Sequence, residues 1–270
     1  MKPVLFLDSG VGGISYCRYF QERNPGESIV YLADRLHFPY GKWEKTELAA
    51  ILINLMERII KTVNPEIAVL ACNTASIAAL PALRECFPAL PFVGTVPAVK
   101  PAAIASKNKK IGVLGTKLTI EEMDAEESYI RKIAAEYGNN EIMGIAAPEL
   151  VEFIENNFDS ATTETKKEIV QNYLNRFRAA GVDALVLGCT HFLFLLEEFR
   201  QEAAPDIIVF ESIQGISLRI ESLLAETGQP QEKVSGVQNR LLLTGSSAPE
   251  PSWTTWAYRL GFELSLLEAL

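Results

Sequence analysis

Two cysteines stand in matching surroundings. Ile67-Ala68-Val69-Leu70-Ala71 leads into Cys72-Asn73-Thr74, and Ala184-Leu185-Val186-Leu187-Gly188 leads into Cys189-Thr190-His191. An apolar run of this length reads as a buried strand, so each cysteine falls just past a strand end. Cys72 lies between that strand end and the start of a helix, where free backbone N–H groups stabilise a thiolate and can also bind a carboxylate. A single cysteine in this position is ordinarily a small core residue. Two of them in matched segments point to acid/base or nucleophilic chemistry.

Other candidate groups occupy the same kind of position. Asp8-Ser9-Gly10 follows the apolar run Val4–Leu7, and Thr116 follows Ile111–Leu114. His191 lies two residues after Cys189, close enough to polarise or orient its thiol. A metal site would need more ligands, and no paired C-x-x-C spacing exists. Gly10-Val11-Gly12-Gly13 does not complete G-x-G-x-x-G, because position 15 is Ser15, and it lacks the Gly-Lys-Ser/Thr of a P-loop. Its simpler reading is a tight strand-to-helix turn that lets backbone approach a small ligand. His37, in Leu36-His37-Phe38-Pro39-Tyr40-Gly41, reads as a surface or packing residue in a loop. Cys17 and Cys86 read as structural residues on helices.

The elements that must position these residues alternate. Glu47–Val63 carries apolar residues at helical spacing and is stopped by Asn64-Pro65. Ile67–Ala71 is a strand and Ala75–Cys86 a helix. Ile111–Leu114 is a strand, the helix marked by Ile169 to Phe177 ends at Gly181, and Ala184–Leu187 and Ile207–Phe210 are strands. Strands alternating with helices imply an α/β fold with mainly parallel pairing. The repetition of helix, short polar break, strand and cysteine predicts two similar α/β lobes that offer their strand ends to a shared cleft.

Composition narrows the function. The chain has 270 residues, enough for two modest domains, with 48% hydrophobic and 22% charged residues, as in globular proteins. Its net charge of −9 and the lack of a dense basic run argue against nucleic acid as a partner. No stretch approaches a membrane span, and Asp8 cuts the first apolar run too early for a secretory signal. Four cysteines without such a signal read as free thiols in a reducing cytoplasm.

The ordered set of segments is similar to the glutamate racemase family, within the wider aspartate/glutamate racemase superfamily. Its carriers are Phe6-Leu7-Asp8-Ser9-Gly10-Val11-Gly12-Gly13, Tyr31-Leu32-Ala33-Asp34, Phe38-Pro39-Tyr40-Gly41-Lys42, Ala71-Cys72-Asn73-Thr74-Ala75-Ser76 and Leu187-Gly188-Cys189-Thr190-His191-Phe192. The resemblance runs over most of the chain and thins after Phe210. It implies a first lobe of residues 1–96 and 207–270, a second of 97–206, and an active site in the cleft between them. It further implies that Cys72 and Cys189 are the acid/base pair on opposite faces of Cα, with Asp8 and His191 as assistants. Ser9, Pro39, Tyr40, Gly41, Asn73, Thr74 and Thr190 would bind substrate, and Glu155 and Thr116 are further candidates. Departures from the family pattern are Glu152 for Pro, Ala147 for Cys, Trp43 for Ser, and Glu211-Ser212 for an Asp-Ser pair.

The implied activity is interconversion of L- and D-glutamate without metal or other cofactor, supplying D-glutamate for peptidoglycan synthesis. Glutamate is then the partner, and a homodimer stays open. One thiolate must take a very weakly acidic Cα proton while one thiol supplies another. A free thiol titrates near pH ~8.5, so modest help brings it toward neutrality. The alternatives are an aspartate or hydantoin racemase or maleate isomerase of the same superfamily, a cysteine hydrolase using one cysteine with His191, and a non-catalytic small-ligand binding module.

Overall fold

In a computed structural model of the chain, residues 2–125, 128–226, 238–245 and 247–267 are described. They divide into two compact units, Met1–Thr95 with Ile213–Leu270, and Val96–Ser212.

The first unit begins with β1 (Val4–Asp8), α1 (Ile14–Arg23), β2 (Ile29–Ala33), α2 (Lys45–Thr62), β3 (Ile67–Leu70), α3 (Asn73–Cys86) and β4 (Phe92–Gly94). The second holds α4 (Val99–Ala105), β5 (Lys110–Gly115), α5 (Lys117–Asp124), α6 (Tyr129–Glu136), β6 (Glu141–Ala146), α7 (Pro148–Asn156), α8 (Thr163–Ala179), β7 (Ala184–Gly188), α9 (Leu196–Ala203) and β8 (Ile208–Phe210). The chain then completes the first unit with α10 (Ile213–Glu226), β9 (Arg240–Leu243), α11 (Pro251–Leu260) and β10 (Glu263–Leu266).

The strand orders are β10-β9-β2-β1-β3-β4 and β6-β5-β7-β8, and every pairing is parallel. The second order repeats the β2-β1-β3-β4 core of the first. Strands β1, β2, β3 and β7 are buried along their whole length, which is why they read as continuous apolar runs rather than alternating ones. On α2, Leu48, Leu52, Leu55, Met56 and Ile59 form the buried face. Beyond α2, Asn64 takes a left-handed φ of 50° before Pro65, and the helix stops.

The expected elements are present, with ends shifted by a residue or two. Five strands, β2, β4, β6, β9 and β10, lie outside that reading. β2 lies between the glycine turn and α2, and β6 lies on the other side of β5 from β7. β6 is mostly half-buried, with Ile145 as its buried residue, so it lacks the uniform apolar run of its neighbours. Among the described residues, no helix is long and apolar enough to cross a membrane.

Candidate active site

The β1–β3 register places Leu7 opposite Leu70, and the β5–β7 register places Gly115 opposite Gly188. Continuing the first register by two residues sets Ser9 beside Cys72, and continuing the second by one sets Thr116 beside Cys189. The two cysteines therefore occupy equivalent positions in the four-strand order that the two sheets share, at the carboxyl ends where α/β folds bind ligands. In the same alignment Gly115 takes the place of Asp8. The two cysteines consequently have different ionisable neighbours.

In the first unit Cys72 is the extended N-cap of α3 (φ −146°, ψ 121°) and is 7% exposed. Its carbonyl accepts from the Ser76 amide (2.9 Å) and hydroxyl (2.9 Å), which fixes the strand-to-helix junction. Asn73 and Thr74 follow as the first helical residues, both buried. The Asn73 Oδ1 atom is buried without a hydrogen-bond partner, a state that costs free energy unless a ligand fills it. Asp8, fully buried at the end of β1, accepts from the Gly10 amide (3.0 Å) and the Ser9 hydroxyl (3.4 Å). The glycine turn differs from its expected use at one position. A Cβ on Gly13 would meet Ala71 Cβ at 2.7 Å and Ala71 O at 2.9 Å, so the close approach there is to the chain itself rather than to a ligand.

Pro39, Tyr40 and Gly41 sit in a loop of short 3-10 turns that begins with Asp34 and includes a cis Phe38-Pro39 bond. Asp34 is fully buried and accepts from Tyr40 Oη (2.9 Å) and Thr244 Oγ1 (2.7 Å), with His37 Nδ1 at 2.8 Å. Burial pushes the Tyr40 hydroxyl well above its ordinary range. The charge of Asp34 and the bond to it push it further, then the charges of Cys72 and Asp8. Tyr40 is thus a permanent hydrogen-bond donor near both groups. His37 is half-buried, hydrogen-bonded to Asp34 and packed edge-on against Trp43, whose Nε1 donates to the His37 carbonyl (2.9 Å). Cys17 is fully buried on α1, where burial alone raises its thiol far out of reach of titration. Cys86 is exposed at the end of α3.

In the second unit Cys189 is extended (φ −137°, ψ 136°), 4% exposed, and opens a 3-10 helix, Thr190–Leu195. His191 Nδ1 lies 3.9 Å from Cys189 Sγ, and Nε2 lies 2.6 Å from Glu155 Oε1. Burial acts to lower the imidazole pKa, but the hydrogen bonds to Cys189 and Glu155 and their negative charges override it and raise it well above the ordinary value. Glu155 is near the end of α7, and Phe158, two residues beyond that helix, makes an edge-to-face pair with Phe194 of the 3-10 helix. The candidate Thr116 caps α5, and its hydroxyl oxygen accepts from the Thr119 amide (3.4 Å) and pairs with Thr119 Oγ1 (3.0 Å). Thr190 is buried beside Cys189.

The unusual residues fall as follows. Ala147 is the buried cap before α7 and its amide donates to Gly115 O (3.0 Å), Glu152 is exposed on α7, and Glu211 lies 3.8 Å from Arg200. Thr244, just past β9, carries no motif in the sequence. Its place on Asp34 is set by pairing of β2 with β9 across some two hundred residues of chain, and only the apolar run Leu241–Leu243 hints at it.

The family of Asp/Glu/Hydantoin racemases matches residues 23–215. A glutamate racemase of Shewanella sp. (strain MR-4) is 35% identical over 234 residues, 86% of this chain and 82% of that one. A glutamate racemase of Bartonella bacilliformis is 32% identical over 250 residues, 91% of this chain and 90% of that one. Among solved structures, the Escherichia coli glutamate racemase in complex with L-glutamate and an activator, UDP-MurNAc-Ala, is similar with a TM-score of 0.84 and 29% identity, covering all of both chains.

Proposed function

Because the chain belongs to the Asp/Glu/Hydantoin racemase family, we propose that it interconverts L-glutamate and D-glutamate by moving a proton on and off Cα with Cys72 and Cys189. The observation that carries this reading is the matched placement of the two cysteines, just past the carboxyl end of the equivalent strand of each sheet. A hydrolase or a binding module has no use for that duplication.

The roles follow from the surroundings of each thiol. In one direction a Cys72 thiolate takes the Cα proton and the Cys189 thiol delivers another; in the reverse direction the roles exchange. Asp8, held by Gly10 and Ser9, is the carboxylate that relays protons for Cys72. The protonated His191 donates through Nε2 to Glu155 and faces Cys189 through Nδ1, so it stabilises a Cys189 thiolate and returns its proton. Amides of Ser9, Asn73, Thr74 and Thr190 are the donors that hold the substrate carboxylate as charge develops on Cα. The unpaired Asn73 Oδ1 awaits a donor, which the substrate ammonium supplies. Pro39, Tyr40 and Gly41 line the place of the distal carboxylate.

On this reading the small-molecule partner is glutamate, no cofactor is required, and the product serves peptidoglycan synthesis in the cytoplasm; a homodimer is compatible with it. The test is circular dichroism of purified protein with D- or L-glutamate and no added cofactor. Decay of the optical signal to zero from either enantiomer supports the reading, and a constant signal from both refutes it.

A further inference from the structure

The substrate loop of the first unit is fastened to the segment that returns to this unit after the second one. Thr244 holds it at several points. Its amide donates to Ala33 O (3.1 Å), its hydroxyl donates to Asp34 Oδ1 (2.7 Å), and its oxygen accepts from the Leu36 amide (3.1 Å). Its carbonyl accepts from Arg35 Nε (3.3 Å), and the Arg35 guanidinium also reaches Glu250 and the Ser247 carbonyl. Asp34 passes this anchoring on, because its other oxygen accepts from Tyr40. Thr244 is 3% exposed and Asp34 is fully buried, so water cannot take over the lost bond cheaply.

We infer that Thr244 is a positioning residue for substrate binding, acting through Asp34 on the Tyr40 hydroxyl and the Pro39–Gly41 loop. A carboxylate with two oxygens and three buried or half-buried donors has a narrow choice of orientations. Thr244 fixes one oxygen and leaves the other aimed at Tyr40. Without the hydroxyl, Asp34 is held only through the oxygen that Tyr40 and His37 share and can pivot about it, so Tyr40 and the Leu36 amide lose their reference. The cysteines, set by β3, α3 and β7, stay where they are. The expected signature is therefore a change in binding rather than in turnover. The inference rests on the glutamate racemase reading above, for which wild-type turnover is the separate control.

The experiment compares wild type, Thr244→Val, Thr244→Ser, Tyr40→Phe and the double variant of Thr244→Val with Tyr40→Phe in glutamate racemisation. Valine keeps the shape and removes the hydroxyl; serine keeps the hydroxyl. Thr244→Val should raise KM about tenfold with kcat within about threefold of wild type, the pattern of lost binding rather than lost chemistry. Thr244→Ser should restore KM. In the Tyr40→Phe background, Thr244→Val should add less than about threefold, because its effect runs through the Tyr40 hydroxyl. Should the valine variant not fold, as judged by circular dichroism and thermal melting, Thr244→Ala against Thr244→Ser makes the same comparison. An unchanged KM in the folded hydroxyl-free variant, a kcat loss without a KM change, or full additivity with Tyr40→Phe overturns the inference. Inactive wild-type protein refutes the reading on which it rests instead.

Discussion

His191 Nε2 lies 2.6 Å from Glu155 Oε1 while Nδ1 of the same ring faces the Cys189 sulfur at 3.9 Å. The ring thus links a carboxylate to a thiol and is held charged by both. Because its pKa is raised on folding, the stabilisation from this arrangement is fully present below the unfolded histidine pKa of ~6.5 and is lost as pH rises through the higher folded value. Activity that depends on the imidazolium should fall over that same alkaline range. Glu155→Gln removes one of the raising partners, so it should move the alkaline limb of the kcat profile to lower pH. A limb unmoved by Glu155→Gln would separate His191 from the proton chemistry.

The contact at Gly13 makes a steric prediction. A methyl group there meets Ala71, the residue before Cys72, at 2.7 Å from its Cβ and 2.9 Å from its carbonyl oxygen. Backbone cannot yield as a flexible side chain would. Gly13→Ala should cost about 1–3 kcal/mol of stability by denaturant unfolding, and turnover should fall with it because the Cys72 junction shifts. Wild-type stability and kcat in this variant would show that the turn accommodates the methyl.

Asn73 should show the opposite division. Its buried Oδ1 has no partner, so the free protein gains little from it. Asn73→Ala should change stability by less than about 1 kcal/mol while raising KM for glutamate at least about tenfold. A large stability loss with unaltered KM would make it a structural helix residue.

Much of this arrangement is legible in the sequence, for physical reasons. Strands buried on both faces leave unbroken apolar runs, so the ends at Asp8, Cys72, Thr116 and Cys189 can be located to within a residue, and the repetition of Cys72 and Cys189 singles them out from the buried Cys17. The Glu155 partnership is of another kind. It joins residues 36 apart through the packing of α7 on the turn after β7, and nothing in local spacing encodes it. Thr244 is more distant still: its bond to Asp34 spans 210 residues and exists because β9 pairs beside β2 after the chain has left the unit and returned.

Aspartate should be a much poorer substrate than glutamate. A pocket that fits the distal carboxylate leaves buried donors unpaired when the carboxylate is one methylene short, and such losses are large in a buried polar site. Comparable kcat/KM for the two amino acids would move the activity to the broader superfamily.

If Cys72 and Cys189 act from opposite sides of Cα, as proposed, the proton removed is not the proton delivered. In deuterated water, product formed early from either enantiomer should carry deuterium at Cα while unreacted substrate stays largely protonated. Cys72→Ser and Cys189→Ser should each abolish net racemisation, since serine is too weak an acid to replace either thiol. The decisive measurement is the deuterium content of product against recovered substrate, for wild type and for both single variants. Deuterium in product alone, with both serine variants unable to racemise, is the expected result; product retaining the original proton, or a Cys189→Ser enzyme that racemises at near-normal rate, would contradict it.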